Sequence, residues 1–208
     1  MASCSLVVVT AGLSQPSSTR LLADRLTAAT ERFLGHADVE PVVEVLELRE
    51  YAQDLTNDLL AGFPSPRLRA AIDRVVAADG LICVSPIFAA SYSGLFKLFF
   101  DLLERDSLAG KPVLIAATGG TARHSLALEH AFRPLFAYLD AATVPTAVFA
   151  AAEDWGQRAD AGSEDDLVGR IDRATRELAT WIATRRPDAP IDPFTDPTPF
   201  EALLRGEP

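Results

Sequence analysis

The sequence predicts an α/β fold in which a five-stranded parallel sheet carries helices on both faces. Three observations support it. Short aliphatic runs alternate with longer segments of helical spacing along the 208 residues. The run 6–10 is continuously apolar, as expected of a strand that is covered on both faces. Strands and helices alternate throughout, which is typical of a parallel sheet between two helical layers.

The strand candidates are short and largely aliphatic. They lie at residues 6–10, 39–48, 81–85, 113–117 and 144–150. Helices are predicted at residues 19–33, 65–78, 94–103 and 124–139, with a short helix or structured loop at 51–60. Ser65 is a suitable N-cap ahead of Pro66. A second serine, Ser163, is expected to cap a last helix that ends near Thr184.

Length and composition indicate one domain over residues 1–186, followed by a proline-rich tail over 187–208. The formal net charge of −10 argues against a nucleic-acid partner. No apolar run is long enough for a membrane span, and no signal peptide is recognised, so a cytoplasmic protein is expected. Cys4 and Cys83 lack metal-ligand spacing and are expected to be buried, inert thiols.

The loop after the first strand candidate carries four hydroxyl side chains directly before a helix. They are Ser14, Ser17, Ser18 and Thr19. A helix N-terminus offers free N–H groups and a partial positive charge, so this loop is a candidate anion site. It contains no lysine and neither the Gly-x-x-x-x-Gly-Lys nor the Gly-x-Gly-x-x-Gly pattern. A single phosphate monoester is therefore the expected ligand, and a simple helix cap is the alternative.

The loop after the third strand candidate begins at Pro86 and combines aromatic and hydroxyl side chains. Phe88 and Tyr92 could flank a flat ligand, although packing in the core is the more common use of such rings. Ser91 and Ser93 could donate hydrogen bonds or cap the following helix.

The loop after the fourth strand candidate pairs Gly119 with Gly120, which would let backbone N–H groups approach a ligand. A plain strand-to-helix turn is the alternative. Arg123 could bind a second anion, and His124 could cap the helix that follows.

No catalytic side chain is predicted. The sequence has no Gly-x-Ser-x-Gly motif, no metal-ligand cluster and no convincing Ser/His/Asp set. Glu153 and Asp154 could form an acid–base pair, but a solvated loop is favoured. Trp155 could form a wall of the site or of a subunit interface.

Together, the three loops resemble those of the NAD(P)H-dependent FMN reductases, a family of flavodoxin-like fold. The resemblance covers roughly residues 4–185 and is carried by segments 14–19, 86–97 and 117–136. The subgroup that it most resembles supplies reduced FMN to flavin-dependent monooxygenases. The resemblance implies a flavodoxin-like three-layer α/β/α sandwich with a five-stranded parallel sheet.

The resemblance also implies site residues. The first loop would hold the FMN phosphate through Ser14, Gln15, Ser17, Ser18 and Thr19. The second would line the ribityl chain and the ring through Pro86, Ile87, Phe88, Ser91, Tyr92 and Ser93. The third would meet the pyrimidine edge through Thr118, Gly119, Gly120 and Thr121, with Arg123 and His124 toward the nicotinamide nucleotide. Relatives often have Tyr-Asn after the proline of the second loop, where this chain has Ile87-Phe88-Ala89.

The implied activity is hydride transfer from NADPH or NADH to FMN, in which the flavin carries the chemistry and no protein-bound metal takes part. The expected partners are these nucleotides, a flavin-dependent monooxygenase and further copies of the chain in a homodimer or homotetramer. One alternative is an FMN-containing reductase of quinones, azo compounds or metal ions on the same scaffold. The others are a one-electron carrier like flavodoxin and a regulatory flavin-binding module without turnover.

Overall fold

The computed structural model describes residues 2–155 and 166–185. Within these ranges the strands are β1 (Ala2–Thr10), β2 (Val39–Glu47), β3 (Gly80–Phe88), β4 (Ser91–Tyr92), β5 (Pro112–Gly119), β6 (Ala142–Thr143) and β7 (Val148–Ala151). The α-helices are α1 (Ser18–His36), α2 (Ala52–Ala61), α3 (Pro66–Ala77), α4 (Gly94–Phe100), α5 (Arg133–Tyr138) and α6 (Leu167–Thr184). No helix in these ranges is long and apolar enough to cross a membrane.

The main sheet is parallel and has the order β2-β1-β3-β5-β6. This is the doubly wound order of flavodoxin-like proteins, in which ligands bind beyond the carboxyl ends of the strands where the order reverses. Here the reversal lies between β1 and β3. The fold class predicted from the sequence is confirmed.

The strand count differs from the predicted five. The predicted strand 144–150 corresponds to β7, which pairs with the end of β5, while the short strand β6 lies just before the predicted range and pairs with the beginning of β5. Pro145 lies between them and has no N–H to contribute to a ladder. In addition, β4 pairs antiparallel with the end of β3 and forms a short hairpin at the carboxyl edge of the sheet.

Two apolar cores lie on opposite faces of the sheet because successive side chains of a strand alternate between faces. On β1, Val7 and Val9 belong to the core beneath α2, α3 and α4, whereas Leu6 and Val8 belong to the core beneath α1 and α6. The first core contains an aromatic cluster with tilted and edge-to-face ring contacts, whose members are Tyr92, Phe96, Phe100, Phe132 and Phe136.

Three predicted helices have different bounds in the structure. Helix α4 ends at Phe100, not at Leu103. The predicted helix 124–139 is a 3₁₀ turn at Ala122–His124, a π-helical turn at Leu128–Phe132 and then α5. Pro134 in the first turn of α5 lacks the N–H that a regular α-helix would use there.

The last helix, α6, begins at Leu167, and its N-cap is Asp166, whose side chain accepts from Gly169 N at 2.7 Å. The expected cap at Ser163 lies outside the described residues. The two cysteines are buried free thiols, as predicted, and burial raises the pKa of Cys83 well above its usual value.

Lys111 is a buried cation at the amino edge of the sheet, with only 4% of its surface exposed. Its Nζ donates to Val76 O at 3.0 Å and to Ala78 O, so Lys111 provides hydrogen-bond donors for carbonyl groups at the carboxyl end of α3. Burial, with a smaller contribution from Arg185, lowers the pKa of Lys111 from 10.5 to about 8, against an opposing effect of Asp79.

This lowered pKa predicts a pH-dependent stability. Between pH 8 and 10.5 the folded chain has released a proton from Lys111 that the unfolded chain still binds, so the free energy of unfolding should rise with pH in this window. The expected rise is about 3 kcal/mol. The free energy of unfolding, measured in urea across this pH window, should rise less with pH for Lys111→Met than for wild type. The exposed-lysine variant Lys97→Met is the control, and equal slopes for all three proteins would contradict the prediction.

Candidate functional site

The three loops singled out in the sequence meet at the carboxyl edge of the sheet. The loop after β1 contacts β3 because Ala11 N donates to Val84 O at 2.9 Å. The start of α1 contacts the end of β5 because Thr19 Oγ1 and Thr118 Oγ1 share a hydrogen bond of 2.8 Å. These two hydrogen bonds connect the loops that were predicted from the sequence.

In the first loop, Ser17 is the N-cap of α1, and its Oγ accepts from Arg20 N at 3.2 Å. Ser14 and Ser18 are exposed, and their hydroxyls form no hydrogen bond within the described part of the chain. The N–H groups of Ser18 and Thr19 precede the first intrahelical hydrogen bond, so they are open donors. The peptide bond between Gln15 and Pro16 is cis.

The hydroxyl of Thr19 is not available at the surface. Thr19 is 2% exposed and its hydroxyl bonds to Thr118, so only its backbone N–H faces the anion site. Of the four hydroxyls in the loop, one therefore caps the helix and one joins two loops. The hydroxyls of Ser14 and Ser18 remain exposed.

Two residues of the first loop were missed. Gly12 lies against Ser17, and a Cβ at Gly12 would collide with Ser17 Oγ and lie 3.1 Å from Thr19 Cβ. Thr10, the last residue of β1, is 2% exposed, and its Oγ1 has no hydrogen-bond partner among the described residues. A buried hydroxyl without a partner at the base of an anion loop is unusual, because buried polar groups are nearly always paired.

A charged cluster borders the first loop. Glu47, at the end of β2, bonds Arg49 Nε at 2.8 Å and also binds Arg20. Arg20 Nε in turn bonds Asp24 at 2.7 Å. With its amide oriented to suit its neighbours, the side-chain oxygen of Gln15 accepts from Arg49 Nη1 at 2.7 Å. The first loop contains no lysine, but two arginines lie beside it, and both form ion pairs with carboxylates.

The second loop is the hairpin between β3 and β4. Its two turn residues, Ala89 and Ala90, have φ angles of 47° and 66°. A two-residue turn with both residues in the left-handed region is typical of β-hairpins, but asparagine and glycine are the usual occupants. Phe88 remains 49% exposed at the edge of the site. The ring of Tyr92 packs on Phe132, at a centroid distance of 5.4 Å, which agrees with the core-packing alternative for this ring.

A buried pair of serines fixes this hairpin. Ser85 Oγ accepts from Ser93 N at 2.9 Å, and Ser93 Oγ caps α4 by accepting from Phe96 N at 3.3 Å. Ser85 and Ser93 are 0% and 1% exposed. Ser93 therefore caps α4, which is one of the two roles predicted for it. Ser85 was missed as a site residue because it was assigned to a strand.

In the third loop the two glycines differ. A Cβ at Gly119 would lie 2.7 Å from the Phe149 ring, whereas a Cβ at Gly120 would meet nothing within 4 Å. The packing of the Phe149 ring therefore requires a glycine at position 119. Thr121 Oγ1 accepts from Arg123 N at 3.4 Å and caps a 3₁₀ turn, on which Arg123 and His124 are exposed.

The acidic pair after β7 does not form an acid–base site. Asp154 accepts from Ala151 N at 2.7 Å and from Arg170 Nη2 at 3.0 Å, so it holds the end of the strand. The ring of Trp155 packs under Arg25, whose guanidinium carbon is 4.9 Å from the ring centroid. Glu153 is exposed, as expected of a solvated loop, whereas Asp154 is partly buried and paired.

The doubly wound sheet and the hydroxyl-rich loop at the start of α1 define a flavodoxin-like α/β protein. A flavodoxin from the domain Archaea shares this fold, with a TM-score of 0.54 and 12% identity over 86% of this chain and 98% of its own. Residues 4–156 match the family described as NADPH-dependent FMN reductase. The chain belongs to this family.

Similar proteins agree with the assignment. An FMN reductase (NADPH) of Pseudomonas aeruginosa is 38% identical over 72% of this chain and 78% of the relative. An NADH-dependent FMN reductase of Pseudomonas putida, SfnF, is 38% identical over 73% and 80%. The crystal structure of an oxidoreductase from Corynebacterium diphtheriae superimposes with a TM-score of 0.84 and 42% identity, over 89% of this chain and 100% of that one.

Family membership confirms four expectations from the sequence. These are the resemblance itself, the oxidoreductase class, FMN as the flavin, and NADPH or NADH as the hydride donor.

Proposed function

We propose that this chain transfers hydride from NADPH or NADH to FMN in the crevice where the loops after β1, β3 and β5 meet. The observation that carries this location is the start of α1, where the open N–H groups of Ser18 and Thr19 lie beside the exposed hydroxyls of Ser14 and Ser18. Such a helix terminus binds a phosphate without a cationic side chain in the loop.

The residues present fit the phosphate of FMN. Gly12 leaves the space in which the loop can fold closely around Ser17. The unpaired hydroxyl of Thr10 lies at the floor of the loop, where a bound anion or the water that accompanies it would supply the missing partner. Arg20 and Arg49 add positive potential nearby, although Glu47 and Asp24 partly cancel it.

The ring end of the flavin is proposed to lie between the second and third loops. Pro86 and Ile87 are partly exposed there, Ser91 is half-buried, and Phe88 presents an exposed ring. The backbone of Gly120 and Thr121 faces the same edge of the sheet. FMN, when bound, supplies the hydride-accepting ring, and the chain contributes position, orientation and exclusion of water.

The nicotinamide nucleotide is proposed to approach from the third loop. Arg123 and His124 are exposed on the 3₁₀ turn that follows Thr121. A guanidinium at this place can pair with a phosphate through two parallel hydrogen bonds.

We further propose that the chain passes reduced FMN to a flavin-dependent monooxygenase and acts as a cytoplasmic homo-oligomer. The first part is supported by the resemblance of the three loops to that subgroup. The second is supported by three apolar side chains near the end of α2 that are at least 64% exposed, namely Leu59, Leu60 and Phe63. The division into a domain over 1–186 and a tail over 187–208 is also proposed, and the tail lies outside the described residues.

Oxidation of NADPH by the purified chain, followed at increasing concentrations of free FMN, tests the proposed activity. We expect the rate to rise with FMN and to saturate. A rate that responds to a quinone but not to added FMN would instead indicate an FMN-containing quinone reductase. Flavin binding without any oxidation of NADPH or NADH would indicate a binding module, and the absorbance of bound flavin distinguishes these outcomes.

A further inference from the structure

The hydrogen bond between Thr19 and Thr118 joins two loops that are 99 residues apart in the chain. Thr19 lies in the first turn of α1, and Thr118 is the next-to-last residue of β5. Both are at least 96% buried, and their hydroxyl oxygens are 2.8 Å apart. The bond therefore fixes the start of α1 against the strand that leads into the third loop.

Neither residue needs this bond to hold its own element in place. Thr118 is paired in the sheet with Pro86 on one side and Ala150 on the other. The start of α1 is already capped by Ser17. The hydroxyl pair is thus an additional contact between a helix and a strand at the carboxyl edge of the sheet.

We propose that Thr118 is a positioning residue, which through Thr19 sets the distance between the phosphate-binding and the ring-binding ends of the flavin site. This inference rests on the proposed function. A ligand that is held at both ends gains full affinity only if both ends fit at once, so the rigidity of the site matters as much as its contacts. Riboflavin occupies only the ring end and should be insensitive to the link.

The effect of the Thr19–Thr118 hydrogen bond on FMN binding is measured by a ratio, the dissociation constant for riboflavin divided by that for FMN. In Thr118→Val the valine has the shape of threonine but no hydroxyl, and we expect this ratio to fall about tenfold. Thr19→Val should give the same fall from the opposite side of the bond. The double variant should fall no further than either single variant, because the bond is already lost in each.

Rescue and control variants separate positioning from stability. Thr118→Ser keeps a hydroxyl and should restore most of the ratio. Thr175→Val removes an equally buried hydroxyl from α6, where Thr175 Oγ1 donates to Ile171 O at 2.8 Å, and should leave the ratio unchanged. Because both ligands are measured on the same preparation, a general loss of folded protein does not alter the ratio.

Two results would overturn different conclusions. An unchanged ratio in both Thr118→Val and Thr19→Val, with FMN still bound, would show that the link has only a structural role. A wild-type chain that binds FMN no better than riboflavin would instead contradict the proposed phosphate site, whatever the variants do.

Discussion

Replacing Gly12 with alanine should weaken the binding of FMN about 100-fold while changing that of riboflavin only a few-fold. The new Cβ would collide with Ser17 Oγ and lie 3.3 Å from Ser17 Cβ. Ser17 cannot move freely, because its Oγ caps α1 through Arg20 N. The loop must therefore shift as a unit and turn its N–H groups away from the phosphate. A loss of about 2.7 kcal/mol corresponds to one or two charge-assisted hydrogen bonds.

Flavin fluorescence titrations with both ligands would measure this selectivity. Gly80→Ala is a matched control, because its Cβ would lie 2.8 Å from Ile182 Cγ1 at the opposite edge of the sheet. That variant should lose stability but keep the preference for FMN. Equal losses of FMN and riboflavin in Gly12→Ala would show that the loop is a helix cap and does not hold the phosphate.

A second large effect is expected at Ser85, which supports the hairpin. Ser85→Ala removes the acceptor of the buried Ser93 N–H, and an unpaired buried donor costs about 1–3 kcal/mol of stability. In the proposed site the hairpin lines the part that FMN and riboflavin share. Both flavins should therefore lose affinity by a similar factor, in contrast to the selective loss expected for Gly12→Ala.

Urea unfolding and the two flavin titrations would test the variant together. Thr30→Val is the control, since it removes another fully buried hydroxyl, which donates to Leu26 O in the middle of α1. We expect Thr30→Val to lose stability without a change in flavin affinity. The role assigned to Ser85 fails if its variant binds both flavins as tightly as wild type does.

The sequence predicted the parts of the fold that depend on local pattern. Continuous apolar runs located the sheet positions, and Ser65 ahead of Pro66 marked the start of α3. The short strand β6, on the other side of Pro145 from β7, was missed. The pairing of the segments on either side of Pro145 with β5 is a tertiary contact, and a local sequence pattern does not predict it.

For the candidate site, the sequence located the three loops but not the use of individual side chains. Hydroxyl groups that look equivalent in the sequence have different surroundings in the structure. Thr19 forms a hydrogen bond to a residue 99 positions away, whereas Ser14 is exposed. Thr10 was overlooked because a threonine at the end of an apolar run is typical of a strand. Its unpaired hydroxyl is visible only once the surrounding atoms are known.

The hairpin turn at Ala89 and Ala90 has a consequence for how ligands enter and leave. Each alanine occupies a backbone region that costs an L-residue about 1–2 kcal/mol, so the turn contributes less to holding the hairpin shut than an Asn-Gly turn would. Local opening of a folded protein occurs first where the free energy holding a segment is smallest. We therefore expect this hairpin, with the exposed Phe88 at its end, to open for ligand exchange more readily than one closed by an Asn-Gly turn.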